Sequence, residues 1–217
     1  MSGVLERKLA EAFERQAVKP HVRDIILENL AVLENRDKAT EQHCIRIGLY
    51  SEAIAAFHGA DEGYDARAAL MAGTLHDIGK ALVPGELLRK TGEFTAEDRR
   101  LIEPHVMRTY ELLMGILEYT GQITVRHHRF QDNPYPQELP VTATEYTSER
   151  LEWFDRHAEV LSIADFFDAA TVRSDSHGPA LSDLEAVKLR WLKYRPRQAH
   201  KGAYYIDEGI LTPALLW

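Results

Sequence analysis

Residues 65–80 read DARAALMAGTLHDIGK, and the fold is decided in this stretch. From Asp65 to His76 it has the make-up of an Ala-rich helix whose small side chains let a neighbouring helix approach closely. Gly79, just beyond, is expected to take the left-handed conformation that terminates helices. Upstream, Ala39 to Phe57 has helical spacing with Ile45, Leu49, Ile54 and Phe57 inward, and His58-Gly59 supplies a stop.

The same periodicity extends outward in both directions. Val4, Leu5, Leu9, Phe13 and Val18 mark one amphipathic helix, interrupted at Pro20; Val22, Ile25, Ile26, Leu30 and Leu33 mark a second. Downstream, Pro84 to Gly92 reads as a loop. Thr95, followed by Glu97 and Asp98, has the cap and acidic first turn of a new helix. Pro104 predicts a kink or a fresh helix start. Leu112 to Leu117 continues that helix, and Ile123 to His128 is a further short helical stretch. Phe130 to Thr147 carries three Pro and no clean period, so it reads as a long ordered loop. Arg150 to Ala170 and Ser182 to Tyr194 are the last helical patterns, and the apolar tail from Ala203 to Trp217 is expected to pack back on the body. With no strand alternation and no internal repeat, the expectation is an all-α helical bundle: residues 1–38 as an N-terminal helical extension, residues 39–217 as the main domain.

Composition narrows the function. The chain has 217 residues, 45% of them hydrophobic, and a net charge of −8, so a real core is expected and no broad basic face. Duplex nucleic acid and anionic membranes are poor partners for such a surface, while a homo-oligomer is compatible with it. Cys44 is the one cysteine, which fits a reducing compartment. The charged N-terminus is unlike a signal peptide and no apolar run is long enough to span a bilayer, so a cytoplasmic location is expected.

Against that background, 10 His stand out. His76-Asp77 or His127-His128 alone carries little weight. Together, His43, His76, Asp77, His105, His127, His128 and Asp165 fall in separate helical segments, at helix ends or on faces with inward apolar residues. Helix bundles build metal sites in this way. Five His and two Asp suit two ions sharing a carboxylate, and imidazole with carboxylate favours Fe, Mn, Co or Zn. The chemistry of such a pair is hydrolysis. Lys80, four residues after His76, shares its face if the helix persists and can then meet a phosphate oxygen. His58, His157, His177 and His200 are assigned to the core or to solvent, and His21 to a helix start. Cys44 should point to another helix face than His43. Arg195, Arg197 and Lys201 read as a solvated basic cluster. Asp168 either orients a ligand or, the preferred reading, caps or pairs within the bundle.

The string His76-Asp77-Ile78-Gly79-Lys80 resembles the signature of the HD superfamily of metal-dependent phosphohydrolases. The likeness runs from about Ala39 to Thr171 and is strongest to the HD-GYP subfamily. VPGELLRKTGEFTAED (83–98) resembles the stretch after HD-x-GK, EPHVMRTYELL (103–113) supplies His105, HHRFQDNPYP (127–136) sits where the subfamily has HHE…DGxGYP, and SIADFFDAAT (162–171) is similar to its ADxFDAL. The resemblance implies an all-α HD fold and a di-metal centre, with Fe or Mn first and Zn or Co compatible. It implies His43, His76, Asp77, His105, His127, His128 and Asp165 as ligands, Asp77 as bridge and Lys80 beside the scissile phosphate. Lys90, Arg129 and Tyr135 are the further substrate-binding candidates. Lys90 falls in the matched loop and Arg129 beside the His pair, each either contacting phosphate or offsetting nearby carboxylates. Tyr135 keeps the Tyr-Pro of a loop that either meets substrate or serves packing.

Departures concentrate on the substrate side. Arg129 stands where the subfamily has Glu, and Asn133-Pro134-Tyr135-Pro136 replaces GxGYP, a degenerate loop in which Pro134 removes the freedom of glycine. Arg173 is one residue early for the subfamily's arginine, with residues 174–177 in place of its Tyr. Ala39 offers no carboxylate for a third metal. The expected function is therefore hydrolysis of a phosphodiester, cyclic di-GMP or another small phosphate-containing nucleotide. The alternatives are a nucleotide phosphomonoesterase on the same fold and a catalytically degenerate signalling or binding protein.

Overall fold

A computed structural model describes residues 2–90, 94–172 and 179–216. Gly92, Arg173, residues 174–177 and Trp217 lie outside these. The described residues form an all-α bundle with an N-terminal helical extension. Helices α1 (Ser2–Arg15) and α2 (Pro20–Arg36) precede the long α3 (Lys38–His58) and the shorter α4 (Ala66–Leu75). Four short helices follow: α5 (Gly85–Leu88), α6 (Ala96–Ile102), α7 (His105–Leu113) and α8 (Glu118–Thr124). Then come α9 (Ser148–Thr171), α10 (Leu184–Tyr194) and α11 (Ala199–Asp207). Among the described residues no helix is long and apolar enough to cross a membrane.

Local chemistry sets the boundaries. Pro20 opens α2, where its missing N–H leaves no donor unsatisfied. Asp37 caps α3 by accepting from Thr40 N at 2.9 Å, Asp65 caps α4 by accepting from Ala68 N at 2.9 Å, and Thr95 and Asp98 form a reciprocal capping box on α6. Gly59, at φ 76°, ends α3 as the sequence predicts. Several elements differ from expectation: the segment from Pro84, expected as a loop, holds α5, α8 starts at Glu118 rather than Ile123, and α11 follows α10, the expected last helix. The helix through Leu112 stops at Leu113, because Gly115 at φ 80° turns the chain before α8. Gly79 is not left-handed; it sits in a 3-10 turn, Ile78–Leu82. A Cβ there would lie 2.2 Å from the carbonyl oxygen of His105, so glycine serves close approach instead.

The α3–α4 pair is the axis of the molecule. Gly48 and Gly73 face each other so tightly that a Cβ on Gly73 would lie 2.7 Å from the Gly48 backbone. Against this pair pack α9, with Phe154, Leu161 and Phe167 buried, and α1 and α2, with Leu9, Phe13, Ile26, Leu30 and Leu33 buried. These side chains belong to one continuous apolar cluster that also takes in Trp191, Leu211 and Leu216, so the C-terminal tail does fold back. Lys8 Nζ donates to Leu215 O at 2.8 Å and ties the two ends of the chain together.

Candidate metal centre

Three histidines are delivered by one local device. Helices end with carbonyls that have no intrahelical partner. His76 Nδ1 donates to Gly73 O at 2.8 Å, His105 Nδ1 to Ile102 O at 2.7 Å and His127 Nδ1 to Thr124 O at 2.5 Å, each three residues back at the close of α4, α6 or α8. A carbonyl only accepts, so each Nδ1 donates and each Nε2 is left facing the centre. His43, on α3, spends its Nδ1 on a carboxylate instead: Asp168 Oδ2 on α9 lies 2.7 Å away. Arg46, one turn beyond His43, holds the same carboxylate at 2.5 and 3.0 Å. Asp168 thus both orients an imidazole and pairs within the bundle.

The freed nitrogens converge on Asp77. Its Oδ2 lies 3.2 Å from His76 Nε2 and 3.6 Å from His43 Nε2; its Oδ1 lies 3.1 Å from His105 Nε2. Asp165 Oδ1 is 3.3 Å from His43 Nε2. The donors sort into two clusters, His43 with His76 and Asp165, and His105 with His127 and His128. In each, one donor atom per residue lies within 4.8 Å of the others. The two oxygens of Asp77 therefore face different clusters.

The donors fit divalent cations. Asp77 Oδ1, His105 Nε2 and His127 Nε2 are buried and have no hydrogen-bond partner. His105 Nε2 and Asp77 Oδ1 lie 3.1 Å apart with no hydrogen bond satisfying either, and a cation would satisfy both. Burial opposes the charge of Asp77, yet His76, Lys80 and His105 hold its carboxyl well below the usual range. Burial likewise opposes ionisation of Asp165, but the hydrogen bond and charge of His43 hold it well below. Burial, with neighbouring imidazoles, pushes His127 down to about 3 and His128 well below its ordinary value. Ionised carboxylates and neutral imidazoles are the states that bind metal; His76 departs from this, since burial opposes its charge yet Asp77 raises it well above its ordinary value. Oxygen and imidazole nitrogen suit Fe, Mn, Co or Zn.

The remaining predicted residues divide. Lys80 is at the centre, but not by continuing a helix from His76: α4 ends at Leu75, and the 3-10 turn brings Nζ to Asp77 Oδ2 at 2.5 Å. Tyr135 reaches it too, its ring 4.3 Å from His128 and 6.2 Å from His105. Arg129 is exposed beside the pair, with no hydrogen bond or ion pair to its guanidinium among the described residues. Lys90 instead ion-pairs with Asp98 at the start of α6. His58 bonds Glu62 and Tyr205, and His157 bonds Trp153 O and accepts from Asp65 N, both as packing residues.

Cys44 is a fully buried core residue whose sulfur lies within 4.8 Å of donor atoms of His76 and Asp77. Burial pushes its thiol up, so it stays protonated at neutral pH. Arg195 is not a solvated cation. It is buried at the end of α10, and its Nη2 donates to Gln131 Oε1 at 2.8 Å. Lys201 is likewise engaged, by Glu159 at 2.6 Å. Sequence reasoning missed Arg46; a basic residue one turn from a predicted ligand was the available signal.

Comparison with known proteins agrees with this geometry. The chain is 27% identical to 3'3'-cGAMP-specific phosphodiesterase 2 of Vibrio cholerae, over 98% of this chain and 42% of that protein. It is 28% identical to the cyclic di-GMP phosphodiesterase response regulator RpfG of Xanthomonas campestris pv. campestris, over 76% and 42%. It is also 28% identical to a cyclic di-GMP phosphodiesterase of Thermotoga maritima, over 72% and 42%. The chain thus spans about two fifths of the length of these relatives. The HD domain model matches residues 40–170, which hold every residue of both clusters. With that match covering more than half its length, this chain belongs to the HD domain family.

Proposed function

We propose that this chain is a metal-dependent phosphodiesterase with a dinuclear centre, acting on a cyclic dinucleotide such as cyclic di-GMP. The observation that carries the reading is the division of Asp77, one oxygen toward each of two imidazole-bearing clusters. His43, His76 and Asp165 would hold one cation and His105, His127 and His128 the other, with Asp77 available to both. Fe or Mn are the first expectation, with Zn or Co also suited. When bound, such a pair supplies Lewis acidity toward a phosphoryl group and acidifies water.

The chain's own groups do the rest. Asp168 and the three carbonyl acceptors engage the Nδ1 atoms of His43, His76, His105 and His127, which leaves each Nε2 facing the centre. Lys80 neutralises Asp77 and stands ready to donate to a non-bridging phosphate oxygen. Tyr135 offers a ring face beside His128, and Arg129 an exposed guanidinium. The degenerate loop, Asn133 to Pro136, reshapes the substrate side while the donors stay in place. The phosphohydrolase unit is residues 39–217, carried on the extension 1–38.

Protein purified without chelator is expected to hold about two equivalents of transition metal. Asp77→Ala should reduce that to one or fewer and lower hydrolysis of bis(4-nitrophenyl) phosphate by more than about 100-fold. A linear dinucleotide from cyclic di-GMP supports the reading. Inorganic phosphate released from a mononucleotide would replace it with a phosphomonoesterase, and absence of metal after anaerobic reconstitution with a non-catalytic binding role.

A further inference from the structure

A cleft of about 410 Å³ opens beside the centre, between the segment after α6 and the end of α10. Arg99 and Glu103 line one side, Lys193, Tyr194 and Arg195 the other, and Tyr135 the inner end. Tyr135 is the link, since its ring also packs on His128. Arg195 lines the same cleft as Tyr135.

From this we propose that the cleft binds the nucleotide half of the substrate that is not being cut, a proposal that rests on the phosphodiesterase reading. A cyclic dinucleotide has two phosphodiesters, and the cations of the centre meet one. The other half needs positive charge, a stacking surface and polar acceptors for base N–H groups. Arg99, Lys193 and Arg195 gather three cations in a chain of net charge −8. Exposed Lys and Arg are ordinarily just solvated, but Arg195 is buried and held in place by Gln131, so its orientation is fixed before a ligand arrives. Tyr135 and Tyr194 supply ring faces, the second with Lys193 Nζ 4.8 Å from its centroid. Glu103 and Asp132 also line the cleft. They would weaken a site for a bare anion, whereas a nucleotide uses both signs, its phosphate on the cations and its base N–H groups on the carboxylates. The volume falls in the range of small-molecule sites, about 300–1,000 Å³.

Arg99 and Lys193 are exposed, so the double variant R99A/K193A retains the fold. Calorimetric titration of GMP into the metal-loaded protein should show binding that the double variant weakens by about tenfold or more. The ratio of kcat/KM on cyclic di-GMP to that on bis(4-nitrophenyl) phosphate, which has no second nucleotide, should fall by a similar factor. An unchanged GMP affinity and an unchanged ratio would overturn the proposal and leave the metal centre untouched. If the parent protein cleaves neither diester, the phosphodiesterase reading fails, and with it the assignment to an uncut half. The GMP titration then decides separately whether the cleft takes a nucleotide.

Discussion

At Asp168 two demands meet in one side chain: it accepts from His43 Nδ1 and neutralises the buried Arg46 guanidinium. Burial opposes its charge, yet those two partners hold its carboxyl well below the ordinary range. It is a positioning residue, acting on the centre only through His43. Asp168→Asn should lower metal affinity by about 10–100-fold, measured by competition with a chelator well below the melting temperature. A loss of thermal stability with unchanged metal affinity would reduce Asp168 to a packing role. Legibility at this scale was uneven. His76 and Asp77 were readable because their type and placement carry the chemistry. Arg195 was misread, because the direction of a side chain depends on which helix lies opposite it. Lys80 was assigned to the centre on a helical spacing that does not hold, since α4 ends before it.

The first turn of α3 carries a different strain. Glu41 is buried against α1 and α2, and burial, with Glu34 and Glu6 nearby, pushes it up to about 7. A carboxyl raised from 4.5 holds a proton in the folded state that the unfolded chain has released. Stability therefore falls as pH rises from about 4.5 to about 7, with no further loss from this group above that. Glu41→Gln should flatten the dependence across that window and raise stability at pH 8 by about 1 kcal/mol, discounted for partial solvent contact. Thermal melts at pH 5 and pH 8 measure it, and an equal shift at both would exclude Glu41 as the cause. Most elements were legible, because caps and breakers act locally: Asp65, Thr95, Pro104 and Gly59 mark boundaries where expected. Gly79 was legible only as a glycine. Its function is contact with the His105 backbone, far along the chain.

Across the whole molecule, the extension and the HD region share a core. Phe13 and Ile26 lie outside residues 40–170 yet sit in the same apolar cluster as Ile47 and Phe167, while Arg15 Nε and Nη2 meet buried Glu52 at 2.9 and 2.7 Å. Phe13→Ala should therefore destabilise the protein by about 3–5 kcal/mol, read from denaturant unfolding, with metal affinity unchanged in the folded fraction. A cost below about 0.5 kcal/mol would mean that the extension is only a loosely attached arm. The sequence by itself determined most of the helices, many of their ends and the set of side chains able to grip cations, because periodicity, capping and ligand chemistry are properties of a residue and its near neighbours. Only the tertiary structure decided that Asp77 faces two clusters, that Asp168 serves His43 from 125 positions away, and that Arg195 turns inward beside Tyr135. Each depends on how helices distant in the chain cross, and crossing geometry follows from the packing of the whole core.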